Sequence, residues 1–273
     1  MSMLYLVPTP IGNLSDISDR CRETLAGADF IAAEDTRVTL RLLNHLGLKK
    51  PLVSYYEHNK EVSGPRIVER LLAGETCALV TDAGSPAISD PGEDLVRLCA
   101  ERGVPVTAIP GPCAAITALS ISGLPTGRFT FEGFLSTAKK SRAAHLASLE
   151  NETRTMIFYE APHKLCTTLN DLAAAFGAER RISLCRELTK LHEEVLRMTL
   201  GEAVGYYAEN APRGEYVLIV EGAKPVVKTL SLDDAVGQVQ ALLEQGFSKK
   251  DAVKQVSAES GFPKNALYEA VVK

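Results

Sequence analysis

In the first half of the chain, short apolar runs alternate with amphipathic stretches, and this alternation limits the possible folds more than any other feature. The runs predict strands at residues 4–7, 30–33, 77–81 and 106–109. One amphipathic stretch predicts a helix over Pro65–Leu72, and Asp90 is predicted to cap a second helix that begins near Glu93. Strands that alternate with helices predict an α/β fold with a mostly parallel sheet.

Three of these predicted strands end in loops rich in proline and glycine, at residues 8–13, 82–92 and 110–113. In open parallel sheets, ligands bind outside the carboxyl ends of the strands. Glycine lets the backbone approach a ligand closely, and proline holds a loop in one shape. The loops therefore predict a ligand site at one sheet edge, with ordinary strand-to-helix turns as the alternative.

The second half carries a different pattern, with strands predicted at residues 155–160, 181–185 and 216–221 and a weaker one at 193–199. A helix is predicted over residues 163–176, which together with the strands indicates a second α/β domain. The end of the chain has no strand pattern and predicts three short helices, similar to a helix-turn-helix module. The predicted domains and elements are 1–122, 123–223, a linker at Gly222–Lys228, and a tail at 224–273 with helices at 232–243, 248–257 and 262–272.

The net charge of −4 gives the whole chain no general attraction to nucleic acid, so RNA binding requires a local basic patch. Residues 1–223 carry 23 Lys and Arg against 28 Asp and Glu, whereas the tail carries seven against six. This mild asymmetry favours the tail as an RNA contact. A small appendage that adds stability or a dimer contact is the alternative.

The six cysteines form no CxxC pair and show no zinc-ligand spacing, so we expect buried, reduced thiols and no metal site. Chain positions 1–8 lack a basic segment followed by an apolar run, so no signal peptide is expected. No stretch approaches the roughly 20 apolar residues that span a bilayer. Together these features predict a cytoplasmic protein without a membrane segment.

Several common catalytic motifs are missing from the sequence. It has no phosphate-binding GxxxxGK[ST], no GxGxxG after the first strand and no GxSxG. These absences argue against P-loop nucleotidases, dinucleotide-dependent dehydrogenases and α/β-hydrolases. They also argue against the common methyltransferases that carry a glycine-rich first loop.

Polar side chains follow two of the apolar runs. Glu34, Asp35 and Arg37 come directly after a predicted strand, and His58 lies in the polar stretch Tyr55–Asn59. A carboxylate or imidazole can remove a proton from a reacting group, and a guanidinium can hold a phosphate. The alternative is that Asp35 caps a helix that begins near Thr36 with Arg37 as its ion-pair partner, and that His58 is structural.

Five blocks that stand in order along residues 3–223 are similar to the signature of one family. They are Leu6–Leu14, Ala33–Arg37, Thr81–Gly92 with Pro110–Pro112, Phe158–His163 and Arg213–Val217. With them the chain resembles the tetrapyrrole-methylase superfamily, in particular the branch that methylates small-subunit ribosomal RNA. The helical tail also looks like that branch.

The resemblance implies two α/β domains of tetrapyrrole-methylase type with a cleft between them, plus a small C-terminal helical domain. It implies S-adenosylmethionine in the cleft, a homodimer, and methyl transfer to the ribose 2′-hydroxyl of a cytidine in the decoding region of 16S rRNA, within the 30S subunit. The loop Asp82–Pro86 lacks the Gly-Asp-Pro and nearby tyrosine of the corrin and porphyrin methylases, which favours the RNA branch. A tetrapyrrole methylase and a non-enzymatic RNA-binding assembly factor are the alternatives.

Under this resemblance, Glu34, Asp35, Arg37 and His58 are the catalytic candidates. The predicted cofactor contacts are Pro10, Asp82, Gly84, Ser85, Pro86, Ala114, Ala115, Tyr159 and Leu188. The predicted RNA contacts are Lys139, Lys140, Arg142, Lys249 and Lys250, with Lys254 and Lys264 beside them in the tail. Solvated surface charge is the alternative for each of these cations.

Overall fold

The computed structural model describes residues 2–224 and 231–271, which fall into two compact units. The first unit runs to Ala223 and the second begins at Lys224. Most of the predicted linker, residues 225–228, lies outside the described residues.

The first unit opens with a parallel five-stranded sheet in the order β3-β2-β4-β1-β5. Its strands are β1 Leu4–Leu6, β2 Phe30–Ala33, β3 Leu52–Ser54, β4 Cys77–Val80 and β5 Val106–Ala108. The four predicted strands and their parallel arrangement are confirmed. Strand β3 was not predicted, because this edge strand has only three residues and none of them is fully buried.

Five helices connect and follow these strands: α1 Asp19–Gly27, α2 Thr36–His45, α3 Lys60–Leu72, α4 Glu93–Glu101 and α5 Ala114–Ile121. Helix α3 begins at Lys60, five residues before the start predicted at Pro65. Pro65 lacks a backbone N–H and removes only one hydrogen bond near the helix start, so the helix continues through it. The prediction that Asp90 caps α4 is wrong. Gly92 precedes that helix, and it offers no side chain to cap it.

The second sheet has the order β6-β7-β10-β8-β9, and only β6 and β7 run parallel. Its strands are β6 Phe129–Phe134, β7 Thr155–Glu160, β8 Arg181–Arg186, β9 Glu194–Thr199 and β10 Tyr216–Val220. Its helices are α6 Lys139–Ser148, α7 Pro162–Phe176 and α8 Leu200–Glu209. The weak strand pattern is confirmed as β9. The sequence did not predict β6, because its phenylalanines are exposed and a bulge between Phe131 and Gly133 interrupts its register.

Helix α5 joins the two sheets. Its buried Ala115, Ala118 and Leu119 pack with residues of β7, β8 and β10 in one apolar cluster. The Tyr159 hydroxyl accepts a hydrogen bond from the backbone N–H of Ala115 at 3.2 Å. Through α5, the loops at the carboxyl edge of the first sheet are held against the second sheet.

The tail forms three helices, α9 Leu232–Glu244, α10 Lys249–Ser260 and α11 Lys264–Ala270, as predicted. They enclose a small core of their own around Val239, Val253 and Leu267. Ser231 and Ser248 cap α9 and α10 through bonds to the backbone N–H groups of Asp234 and Asp251.

Candidate active site

A cavity of about 380 Å³ lies between the two sheets of the first unit, where the chain leaves the carboxyl ends of β4 and β5. This volume is within the range of small-molecule sites. Loops from both sheets line it: Ile11, Ala83–Ser85, Ile88–Asp90, Cys113, Ala114, Phe134, Tyr159–Pro162, Cys185, Glu187, Leu188, Lys190 and Glu215–Val217.

The loop from Asp82 to Gly92 forms one rim of this cavity, and we call it the acidic rim. Its Ala87 and Ser89 adopt left-handed backbone conformations, with φ of 68° and 64°, that non-glycine residues rarely take. Such conformations persist where surrounding contacts fix them. Two backbone hydrogen bonds between Thr9 and Gly84 and a bond from the Ser85 hydroxyl to the Pro112 carbonyl hold the part of the rim that precedes these two residues.

Glycine is required at the end of this rim. Gly92 has φ of 150°, and a Cβ there would lie 2.9 Å from the Cβ of Ala87. The close approach folds the loop back over itself and directs Ile88 and Asp90 to the cavity.

Asp90 is the titratable group on the acidic rim that the structure perturbs most. Burial raises the pKa of its carboxyl to about 6, and the negative charge of Glu34 adds to the effect. The Thr81 hydroxyl acts in the opposite direction, and Asp82 contributes further repulsion. A carboxyl with a pKa near 6 exchanges protons close to neutral pH.

The opposite rim is the loop from Glu187 to Lys190, which we call the paired rim. Its Glu187 and Thr189 are also left-handed, with φ of 51° and 66°. Unlike Asp90, its charges are paired, since the Lys190 Nζ bonds to Glu187 at 2.9 Å and to Glu215 at 2.7 Å.

Two glycines allow the paired rim to sit this closely. A Cβ on Gly214, whose φ is 74°, would lie 2.4 Å from the Glu187 Cγ. A Cβ on Gly12 would lie 2.5 Å from the Lys190 Cγ. Gly12 belongs to the loop after β1, so this contact also fixes the spacing between the two halves of the cavity wall.

Five of the nine predicted cofactor contacts line the cavity: Gly84, Ser85, Ala114, Tyr159 and Leu188. Pro10 and Asp82 instead line a neighbouring cavity of about 220 Å³ next to α2. Pro86 and Ala115 are buried and do not line the cavity wall. The role of all nine residues as cofactor contacts stays a prediction.

Two of the predicted catalytic residues pair with each other. Asp35 caps α2 by accepting a bond from the Arg37 backbone N–H at 2.8 Å, and its carboxylate pairs with the Arg37 guanidinium at 2.6 Å. These bonds lower the pKa of Asp35 to about 2, which makes it a weak base. The arrangement matches the structural alternative for this pair, and neither residue lines the cavity.

Glu34 and His58 also lie outside the cavity wall. Glu34 accepts a bond from the Thr81 hydroxyl at 2.6 Å and faces the backbone N–H of Asp82, so it supports the acidic rim from behind. His58 is exposed, and its ring lies edge-on to Tyr56 at 6.2 Å between centroids.

The predicted RNA contacts fall on both units. Lys139 and Lys140 are exposed in the first turn of α6, and Lys249 and Lys250 begin α10 in the tail. Arg142 is different, since its guanidinium bonds to Asp171 at 2.5 Å and to the Thr168 hydroxyl at 2.8 Å.

With this geometry established, comparison with known proteins decides the family. The family model of the tetrapyrrole (corrin/porphyrin) methylases matches residues 3–204. The chain belongs to the tetrapyrrole methylase family. It is a methyltransferase, because its curated relatives carry that activity in their names and match it over nearly its whole length.

Among these tetrapyrrole methylases, three relatives are named ribosomal RNA small subunit methyltransferase I. The protein from Halalkalibacterium halodurans is 49% identical over 97% of this chain and 93% of its own. The Synechocystis protein is 46% identical, with 98% and 97% covered. The protein from Escherichia coli O157:H7 is 46% identical, with 97% and 93% covered.

Solved tetrapyrrole methylase structures confirm the fold. The cobalt precorrin-4 methyltransferase aligns with a TM-score of 0.60 at 16% identity, over 81% of this chain and 95% of its own. The uroporphyrin-III-C-methyltransferase from Thermus thermophilus aligns with a TM-score of 0.58 at 19% identity, over 81% and 94%. The predicted fold class is therefore confirmed.

Sequence reasoning did not select Asp90, Ile88, Phe134 or Lys190 as wall residues of this methylase cavity. Asp90 stands in the Thr81–Gly92 block and could have been chosen with it, but its place before Pro91-Gly92 favoured a capping role. No local pattern marks Phe134 or Lys190, since both reach the cavity through the pairing and packing of the second sheet.

Within the described residues, 2–224 and 231–271, no three His, Cys, Asp or Glu side chains stand close enough to hold a metal ion. In the same ranges, no helix has the length and apolar character to cross a membrane. The six cysteines form no disulfide. Four of them are buried, but Cys113 is half-buried and Cys166 is exposed, so the expectation of buried thiols is wrong for Cys166.

Proposed function

We propose that this methyltransferase binds S-adenosylmethionine in the cavity and methylates the ribose 2′-hydroxyl of a cytidine in the decoding region of 16S rRNA. The observation that carries the proposal is the identity of 46–49% with ribosomal RNA small subunit methyltransferases I over nearly the whole chain. The relatives match the chain into its helical tail, beyond the residues 3–204 that the family model matches.

The residues of the cavity fit the proposed cofactor. Its walls combine apolar surface from Ile11, Ile88 and Leu188 with backbone groups at Gly84 and Ala114. Cys113 gives α5 no side-chain cap, and the N–H of Ala115 already donates to the Tyr159 hydroxyl. The backbone N–H of Ala114, which lines the cavity, can therefore bind the carboxylate of an amino acid.

S-adenosylmethionine supplies a methyl group that is already activated, so the protein must position the acceptor and manage one proton. A ribose hydroxyl is a poor nucleophile at neutral pH, and a nearby base helps to remove its proton. We assign this role to Asp90, which lines the cavity and has a pKa near 6.

The remaining catalytic candidates take supporting roles in this proposal. Burial makes the Asp90 carboxyl more basic, and the negative charges of Glu34 and Asp82 add to this effect. Arg37, whose side chain is 85% exposed, is available to a phosphate of the substrate RNA. Asp35 orients that guanidinium, and His58 has no role in the chemical step.

The proposal includes the setting in which the enzyme works. We infer a homodimer in the cytoplasm that acts on rRNA within the 30S subunit, with Lys139, Lys140, Lys249 and Lys250 as phosphate contacts. Arg142 is given a structural role instead, because Asp171 and Thr168 already occupy its guanidinium.

Incubation with S-adenosylmethionine labelled on its methyl group tests the function. Two acceptors are compared, 30S subunits that lack the modification and a precorrin. We expect label in the 16S rRNA, recovered as 2′-O-methylcytidine after digestion, and none in the precorrin. Label in the precorrin alone would indicate a tetrapyrrole substrate, and calorimetry without binding heat would contradict the cofactor.

A further inference from the structure

A groove of about 810 Å³ lies between α6 and α7, outside the cavity described above. It begins where the chain leaves the parallel strands β6 and β7, which end at the same edge of the second sheet. Phe134 and Pro162 line the cavity. Ser136, two residues after Phe134, and His163, directly after Pro162, line the groove. The groove therefore opens beside the mouth of the cavity.

The groove carries positive charge on a unit that is acidic as a whole. Lys139 and Lys164 line it, and among the described residues neither forms an ion pair. The guanidinium of Arg142 is neutralised by Asp171, which leaves Glu150 as the remaining acid of the lining. The ring of His163 adds a further nitrogen donor or acceptor. The lining therefore has a net positive charge, which favours the binding of a polyanion.

An aromatic surface stands between the cavity and the groove. The Phe134 side chain is 58% exposed, and its ring lies edge-on to Tyr159 at 5.5 Å between centroids. Phe131, which is 37% exposed, contacts the same tyrosine at 5.2 Å. Tyr159 thus contacts two partly exposed rings, and one of them, Phe134, stands two residues before Ser136 of the groove.

Exposed aromatic rings next to a basic groove are the combination that binds single-stranded nucleic acid, because bases stack on the rings and cations follow the phosphates. We propose that the RNA strand next to the target nucleotide stacks a base on Phe134 and runs along the α6–α7 groove, with Lys139 and Lys164 as its phosphate contacts. This proposal rests on the proposed function, because it names the substrate path of the same site.

Charge reversal at the groove tests the path. The variant Lys139→Glu with Lys164→Glu is compared with the matched variant Arg20→Glu with Lys49→Glu, which changes the same charge at exposed positions outside the groove. The probe is a fluorescent single-stranded oligocytidine RNA of twelve nucleotides, titrated at several salt concentrations. We expect the groove variant to lose about tenfold or more in affinity and the salt slope to fall by about 1.4, since two phosphate contacts are lost.

A second pair of variants tests the aromatic part. Phe134→Ala should weaken RNA binding by about tenfold, since stacking on one ring contributes that order of affinity, and Phe134→Trp should restore it. Calorimetry with S-adenosylmethionine accompanies each titration, and we expect the lysine variants to keep wild-type cofactor affinity.

The outcomes separate the two proposals. A wild-type protein that binds neither cofactor nor RNA contradicts the proposed function itself. Wild-type binding of both, with equal RNA affinity in the groove variant and the matched variant, overturns only the groove path.

Discussion

The two rims of the cavity use the same backbone device and opposite electrostatics. Each contains two non-glycine residues in left-handed conformations, Ala87 with Ser89 on one side and Glu187 with Thr189 on the other. On the paired rim, Lys190 bridges Glu187 and Glu215. On the acidic rim, burial raises the pKa of Asp90, and the negative charges of Glu34 and Asp82 add to the rise.

The difference indicates that the two sheets of the first unit have different roles. Paired charges hold a loop in place, and a carboxyl held among other carboxyls is kept ready to take up a proton. The second sheet therefore supplies position, and the first supplies chemistry.

The largest effect is expected from Asp90→Asn, which removes the proposed base without changing its shape. The methylation rate at saturating S-adenosylmethionine should fall by about 100-fold or more, because general bases contribute on that order. In the wild-type enzyme the rate should rise with pH through about 6 and then level, and the variant should lack this rise.

The control for Asp90→Asn is calorimetry of cofactor binding. We expect the affinity for S-adenosylmethionine to change far less than the rate. If affinity is lost while the saturated rate stays at the wild-type level, Asp90 holds the cofactor rather than the proton.

On the opposite rim, Lys190→Met keeps the packing against Gly12 but leaves Glu187 and Glu215 without their shared cation. We expect a loss of about 1 kcal/mol of stability, because the pair is partly screened by solvent. The melting temperature should fall by about 2–4 °C. Cofactor affinity should fall several-fold, since Leu188 lies on the same loop.

The matched control is Lys49→Met, which removes an exposed lysine that lies outside the cavity. If both variants lose the same stability and cofactor affinity, the bridge does not fix the paired rim. A lower methylation rate with unchanged cofactor affinity would contradict the assignment of a positioning role to the second sheet.

The raised pKa of Asp90 also affects the stability of the folded protein. Its folded-state pKa of about 6 exceeds the ordinary value of 3.8, so the folded protein holds the proton more tightly. The stability contribution of this carboxyl is therefore lost as pH rises from about 4 to 6. Asp90→Asn should raise the melting temperature at pH 7 by about 1–2 °C and leave it unchanged near pH 4.

Thermal unfolding at the two pH values measures this difference. A variant that is less stable than wild type at pH 7 would show that the charged form of Asp90 is stabilised by contacts rather than strained. The acidic rim would then be held by its charged contacts as the paired rim is, and the two rims would not differ in their electrostatics.

The sequence predicted the parallel sheet well, because buried strands such as Phe30–Ala33 and Cys77–Val80 read as continuous apolar runs. It did not predict β3 and β6, whose residues are half-buried or exposed and carry no such run. Both are edge strands, which depend on pairing with a neighbour more than on local composition.

For the site, residue type alone ranked Glu34, Asp35, Arg37 and His58 above Asp90. The loops were found because glycine and proline mark them locally. Which carboxylate faces the cavity depends on the left-handed turns at Ala87 and Ser89, and these have no local signal. The paired rim, where Lys190 meets Gly12 across 178 positions of sequence, depends wholly on tertiary packing.

The smallest effect is expected from Asp35→Asn. Asparagine caps a helix as well as aspartate does, so α2 should begin at the same residue. The change removes only the ion pair to the exposed Arg37, which water already screens. The methylation rate on 30S subunits should therefore stay within about twofold of wild type. A loss of about 100-fold, the size expected of a general base, would return the proton transfer to Asp35 and leave Asp90 with an electrostatic role.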